Sequence, residues 1–181
     1  MEISDSQILS SFKNPSTKEE GFRLLMLKYQ QRLYWLIRRL VLNHDDADDI
    51  LQNVFLKVWK NLEKFQEQSQ LFTWLYRIAI NESLTFLKQK KRRAAEELES
   101  EELNLIAKLT ADKYFDGDDL QKRLQQAIAT LPDKQKQVFL MRYYDELSYE
   151  EISGILGTSV GALKASYHFA VKKIESFLAE D

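Results

Sequence analysis

Leu24, Leu27, Leu33, Leu36, Ile37 and Leu40 recur at spacings of three and four, a period that returns in most apolar stretches of this chain. A strand would alternate every second residue, so this spacing selects amphipathic helices, each with one face to bury. Five glycines and two prolines in 181 residues are too few for the closely spaced tight turns of a strand architecture. The expected fold class is therefore all-α. With 44% hydrophobic and 30% charged residues, the chain has the composition of a globular protein and is not wholesale disordered. Its length admits one large domain or two small ones.

Punctuation locates the helices. Ser16-Thr17-Lys18-Glu19-Glu20 contains two overlapping Ser/Thr-x-x-Glu capping boxes, which predict the start of a long helix reaching about Leu42. Asn43-His44-Asp45 interrupts the pattern, and Asp46, Asp48 and Asp49 then put negative charge at the start of a second helix, where the macrodipole favours it. Ile50, Val54 and Val58 make one apolar row and Leu51, Phe55 and Trp59 another, ending near Leu62. Residues 66–70 lack a large apolar group and predict an exposed loop. A third helix begins near Thr73, with Leu75, Ile78, Ala79 and Phe86 inward, and runs into the basic stretch Lys88 to Arg93.

The net charge of -2 conceals a partition. Residues 1–95 carry 16 basic and 11 acidic groups, residues 96–119 carry 2 and 9, and residues 120–181 carry 8 and 8. An acidic segment thus hides a basic N-terminal half. Three parts are expected: a helical domain at 1–94, an acidic linker at 95–119 with a short Leu103, Ile106, Leu109 pattern, and a second helical domain at 120–181. In that last part Leu120, Leu124, Ala127, Ile128 and Leu131 mark a helix stopped by Pro132, and Asp133 opens another through Val138, Phe139 and Met141. Ser148-Tyr149-Glu150-Glu151 is a capping box for a short helix, Gly157 suits its end, and Ser159 can cap a final helix from Val160. A short helix, a Gly-containing turn and a longer helix form the helix-turn-helix pattern that places the second helix in a DNA major groove. Val160, Leu163 and Val171 would pack inward, leaving Gly161, Lys164, Ala165, Tyr167 and His168 outward.

Other chemistry finds little support. There is no cysteine, so neither a disulfide framework nor a thiol nucleophile is available, and a reducing cytoplasm suits the chain. His44 and His168 lie outside any metal-binding spacing. No phosphate-binding glycine loop or nucleophile elbow occurs. The expectation is a non-enzyme without metal or cofactor. The N-terminus lacks a basic region followed by an apolar one, and no apolar run reaches membrane-spanning length; neither export nor a membrane segment is expected.

Several stretches resemble the extracytoplasmic-function sigma factors of bacterial RNA polymerase. Leu131-Pro132, Val138 to Tyr143, Leu147 to Ile152, Leu156-Gly157 and Ser159-Val160-Gly161 are similar to the family's promoter minus-35 recognition domain, over about a third of the chain. The resemblance stops inside the recognition helix, where Ser166, Phe169 and Val171 stand in place of the family's arginines. It implies minus-35 contacts from Ser159, Gly161, Lys164, Ala165, Tyr167, His168 and Lys172, with Lys173 also near the backbone. Asp48 to Trp59 resembles the helix that docks on the clamp of the polymerase largest subunit, which implies core-polymerase contacts from Asp49, Gln52 and Asn53. Asn53 stands where Glu is usual, so a neutral contact replaces a charged one. Phe65 to Arg93 resembles the minus-10 reading and melting region, which implies that Phe65, Ser69, Phe72, Trp74, Tyr76, Arg77, Asn81, Lys88, Lys91 and Arg92 contact DNA. Aromatic faces and cations suit a single strand, although aromatics at helical spacing are equally what a core requires.

The resemblance further implies RNA polymerase core enzyme, promoter duplex, its melted strand and an anti-sigma factor as partners. The acidic linker is expected to span between the domains along the polymerase and to mimic nucleic acid in a basic channel. Two alternatives stand beside this: a helix-turn-helix regulator that works without polymerase docking, and a helical protein-interaction adaptor.

Overall fold

The computed structural model describes residues 3–96 and 119–179. Among them the helices are α1 (Asp5–Lys13), α2 (Lys18–Val41), α3 (His44–Asn61), α4 (Leu71–Glu96), α5 (Asp119–Ala129), α6 (Asp133–Tyr143), α7 (Tyr149–Leu156) and α8 (Val160–Ala179). No strand occurs among the described residues, and the all-α expectation holds. The acidic segment, with its Leu103, Ile106 and Leu109, lies outside the described residues apart from its two ends, where α4 continues to Glu96 and α5 begins at Asp119.

Helices α1 to α4 form the N-terminal bundle. Helix α1 lies where the apolar spacing predicts none, yet its start is well signalled. Ser4 Oγ accepts from the Gln7 amide at 3.2 Å, and Gln7 Oε1 accepts from the Ser4 amide at 3.0 Å. Ile8, Leu9 and Phe12 are buried. Phe12 meets Trp59 edge to face at 5.4 Å, and Phe22 meets the same indole at 5.0 Å. The Lys18 ammonium stands 5.0 Å from the ring centroids of both Phe12 and Trp59.

The presence of α1 overturns the expected capping of α2. Thr17 occupies the cap position without a side-chain cap bond. Its hydroxyl donates instead to the Ser11 carbonyl at 2.9 Å, while the Ser16 amide donates to Asn14 Oδ1 at 3.0 Å. Leu25, Leu33, Leu36, Ile37 and Leu40 are buried as one face of α2, whereas Leu27 is exposed. Leu42 ends α2 in the left-handed region at φ 63°, and Asn43 caps α3 by accepting from the Asp46 amide at 2.9 Å. Ile50, Val54 and Val58 are buried together with Phe55, while Leu51 and Trp59 are half-buried. In α4, Leu75 and Ala79 are buried and Ile78 and Phe86 are half-buried. Lys90 donates to Asp46 Oδ2 at 2.6 Å, tying the basic end of α4 to the acidic start of α3.

Helices α5 to α8 form the C-terminal bundle. Ala127, Ile128 and Leu131 are buried, whereas Leu120 is exposed. The Pro132 carbonyl accepts from the Lys136 amide at 2.9 Å, so the proline that stops α5 also begins α6. Ser148 forms the expected reciprocal capping box. Its Oγ accepts from the Glu151 amide at 3.2 Å, and Glu151 Oε2 accepts from the Ser148 amide at 2.7 Å. Gly157 ends α7 at φ 64°, a conformation that costs glycine little. Ser159 then accepts from the Ala162 amide at 3.4 Å. Leu163, Ala170 and Ile174 bury one face of α8, while Val160 and Val171 reach only partial burial. Helices α7 and α8, joined by this turn, are a helix-turn-helix.

Candidate nucleic-acid interface

Three helix faces carry the candidate residues. On α3, burial of Ile50, Val54 and Val58 turns Asp49, Gln52 and Asn53 to solvent. Their spacing puts them on one side of the helix. Leu56, one turn further on, is 57% exposed and continues that side. Leu56 is not among the residues that the sequence singles out, although its position off both apolar rows signals an outward side chain. A groove of about 460 Å³ lies between α3 and α4, lined by Ile50, Asn53, Leu56, Lys57, Lys60 and Phe86 among others. Lys57 bridges it by an ion pair to Glu82.

On α4, Trp74, Arg77, Asn81, Lys88, Lys91 and Arg92 fall within an arc of about 100° when 3.6 residues make a turn. Arg77, Asn81, Lys88, Lys91 and Arg92 are exposed, and Trp74 is half-buried. Thr73, also on this arc, is buried. The remaining aromatic candidates lie elsewhere. Phe65 is buried and packs on Trp74 at 5.2 Å. Phe72 is buried and meets Tyr76 at 4.8 Å, and Tyr76 is fully enclosed. The Arg32 guanidinium covers both rings, 5.2 Å from Phe72 and 5.6 Å from Tyr76. Burial pushes the Tyr76 phenol well above its ordinary range, with the Asp145 charge adding to the rise and Arg32 and Arg39 opposing it. In this arrangement Phe72 and Tyr76 belong to the core, and the cations and Asn81 form the exposed stripe. Ser69, in the loop before α4, is half-buried. Arg77 is not directed at open solvent alone, since its Nη2 donates to the Gly154 carbonyl of α7 at 2.5 Å.

On α8, Gly161, Lys164, Ala165, His168 and Lys172 are all exposed and again lie within about 100° of arc. Tyr167 is turned off this stripe. Its ring stacks on Phe139 at 5.8 Å and meets Tyr149 edge to face at 6.4 Å, and burial raises its phenol. Ser159 is spent on capping. Lys164 stands 5.8 Å from the Tyr149 ring, whose face also receives the Arg142 guanidinium at 5.2 Å. Phe169, which stands where the family has arginine, is exposed beside His168, at 5.9 Å.

Among the described residues, no group of His, Asp and Glu could hold a metal ion, and no helix is long and apolar enough to cross a membrane. An exposed basic stripe on a long helix and a second one on a helix-turn-helix are the arrangement of a nucleic-acid binder with two contact surfaces.

Comparison with known proteins finds two family matches in this chain. The family described as Sigma-70 region 2 matches residues 25–93, and Sigma-70, region 4 matches residues 121–174. The ECF RNA polymerase sigma factor SigW of Bacillus subtilis is 33% identical over 158 residues, covering 83% of this chain and 84% of that protein. The RNA polymerase sigma-H factor of Pseudomonas aeruginosa is 31% identical over 168 residues, covering 88% of this chain and 87% of that protein. Among solved structures, CnrH in complex with the cytosolic domain of CnrY superposes with a TM-score of 0.70 at 21% identity, over 98% of each chain. The sigma factor RpoE bound to the anti-sigma factor NepR, from Bartonella quintana, gives 0.66 at 22% identity, over 90% of this chain and 99% of that one. The two structures speak for the fold, and the sequence relatives for the lineage: this chain belongs to the extracytoplasmic-function family of RNA polymerase sigma factors.

Proposed function

We propose that this chain directs RNA polymerase core enzyme to specific promoters and that its three exposed faces divide the work. The observation that carries the reading is the pair of basic stripes, on α4 and α8, each in a bundle that matches a different sigma region. Asp49, Gln52 and Asn53, with the exposed Leu56 beside them, form the face offered to the polymerase. Arg77, Asn81, Lys88, Lys91 and Arg92 line the path of the melted minus-10 strand, with Trp74 as the stacking platform nearest to solvent. Phe65 packs on Trp74 from outside α4, while Phe72 and Tyr76 form the buried side of α4 itself. Gly161, Lys164, Ala165 and His168 face the minus-35 bases, while Lys172 and Lys173 hold phosphates. Gly161 and Ala165 leave room for close approach of α8 to the groove. Ser159 and Tyr167 hold α8 in position. The chain acts in the cytoplasm, where polymerase is found. The domain limits near residues 94 and 119 and the polymerase-spanning role of the acidic segment belong to the same proposal.

An anti-sigma factor is proposed as a further partner. Leu27, Trp35 and Leu56 are exposed apolar side chains on α2 and α3, each an anchor point for such a partner. Pull-down of purified core polymerase followed by run-off transcription tests the main reading. Retention of polymerase with a defined transcript is expected. A helix-turn-helix regulator would bind duplex promoter without retaining polymerase, and an adaptor would show no salt-sensitive DNA binding.

A further inference from the structure

Among the described residues of the C-terminal bundle, Leu120, Tyr143 and Phe169 are the large apolar side chains left exposed, and of these Phe169 lies on α8. Its side chain is 54% exposed. Burial of Leu163, Ala170 and Ile174 fixes which way α8 faces. At 3.6 residues per turn Phe169 stands about 60° from the middle of the opposite, outward face, nearer to it than Lys164 at about 80°. Along the helix it follows His168 directly and precedes Lys172 and Lys173. It therefore sits where α8 passes from residues assigned to bases to residues assigned to phosphates. Ala165 and Gly161 stand one and two turns earlier on the same row. Their lack of bulk lets a groove come close, and Phe169 is the first large group that it meets on that row. The ring shares a groove of about 440 Å³ with Lys172 and Lys173, so cationic charge lies beside it.

A phenyl ring has no hydrogen bond to offer a base edge. In the major groove adenine, guanine and cytosine are distinguished by hydrogen-bonding groups, whereas thymine adds a C5-methyl. Against a polar edge the ring would strip water without replacing its hydrogen bonds. Against the methyl it gains apolar burial. We propose that Phe169 is a specificity-determining residue for the minus-35 duplex, its exposed ring on the outward face of α8 packing on the C5-methyl of a thymine. The inference deepens the reading of α8 as the minus-35 helix and rests on it. It gives that face an apolar contact beside the charge of Lys164 and the imidazole of His168.

Deoxyuridine tests this, because it differs from thymidine at that methyl alone. Holoenzyme assembled from the full-length chain and core polymerase first selects duplexes from a pool randomised across the minus-35 element. The wild type is expected to fix a thymine, on one strand or the other, at a position where Phe169→Ala accepts any base. Phe169→Leu, which keeps an apolar group, should retain most of the preference. Replacing the selected thymine by deoxyuridine should weaken wild-type holoenzyme binding about two- to fourfold, the worth of one buried methyl, and leave Phe169→Ala binding unchanged. An equal loss for every duplex in Phe169→Ala, or a loss of affinity for core polymerase itself, would make the ring a contact without base preference and overturn the proposal. A selected site indifferent to the methyl overturns it as well. The two readings fail differently: a wild-type holoenzyme that selects no duplex refutes the minus-35 reading and this inference together, whereas selection without a methyl effect refutes the inference alone.

Discussion

The backbone nitrogen of Phe12 lies where a side chain on Gly21 would have to go: an ideal Cβ built on Gly21 falls 2.4 Å from it. Helices α1 and α2 therefore cross at a point where only a hydrogen atom fits. Gly21→Ala is predicted to destabilise the N-terminal bundle by about 1–3 kcal/mol, the usual cost of overpacking. Urea denaturation of the variant measures it. Because backbone on α1 is the obstacle, α1 should separate from α2 first, seen as faster amide exchange at Ile8 and Leu9.

Ser148 and Glu151 cap α7 reciprocally, and the Ser148 hydroxyl also donates to Glu151 Oε2 at 2.8 Å. Ser148→Ala is predicted to cost about 1 kcal/mol of stability in the C-terminal bundle. Thermal denaturation checks this, with Ser148→Asp retaining most of the lost stability because aspartate also caps well.

Tyr76 supplies a pH dependence. Burial raises its phenol in the folded chain, with a further rise from Asp145 and opposition from Arg32 and Arg39. In the unfolded chain it ionises near its ordinary value of about 10. The stability linked to Tyr76 is therefore fully present below about pH 10 and declines as pH rises beyond it, because the unfolded state releases the proton first. Ultraviolet titration should show a fraction of the tyrosine signal appearing only with unfolding. In Tyr76→Phe the loss of stability above that pH should be shallower.

The lysines on α8 should differ in kind. Lys172 is assigned to phosphate, so Lys172→Ala is predicted to weaken minus-35 duplex binding by a similar factor for every sequence and to reduce the salt slope by about one. Lys164 faces the bases, so Lys164→Ala should also relax preference at one base pair. Holoenzyme binding to a set of single-substituted promoters at several salt concentrations distinguishes them.

The sequence made the helical class, the helix-turn-helix and most helix boundaries legible because local chemistry fixes them. Asn43, Ser148 and Gly157 act within three or four residues of themselves. Helix α1 was also locally signalled by Ser4 and Gln7, but nine residues hold too few turns for a periodic pattern to stand out. The Ser16-Thr17 boxes failed for a non-local reason, since α1 supplies the Ser11 carbonyl that takes the Thr17 hydroxyl. Whether Phe72 and Tyr76 stack on DNA or on the protein depended likewise on Arg32, forty or more residues earlier in the chain. The Arg39 to Asp145 pair, 106 residues apart, had no local signal.

The most direct measurement is the affinity of fluorescently labelled chain for purified core polymerase, with Asp49→Arg beside the wild type. Asp49 is exposed and lies on the face assigned to the polymerase. Saturable binding by the wild type is predicted, weakened by about tenfold or more in the variant through loss of a charge-assisted contact. Absence of wild-type binding would contradict the account at its centre.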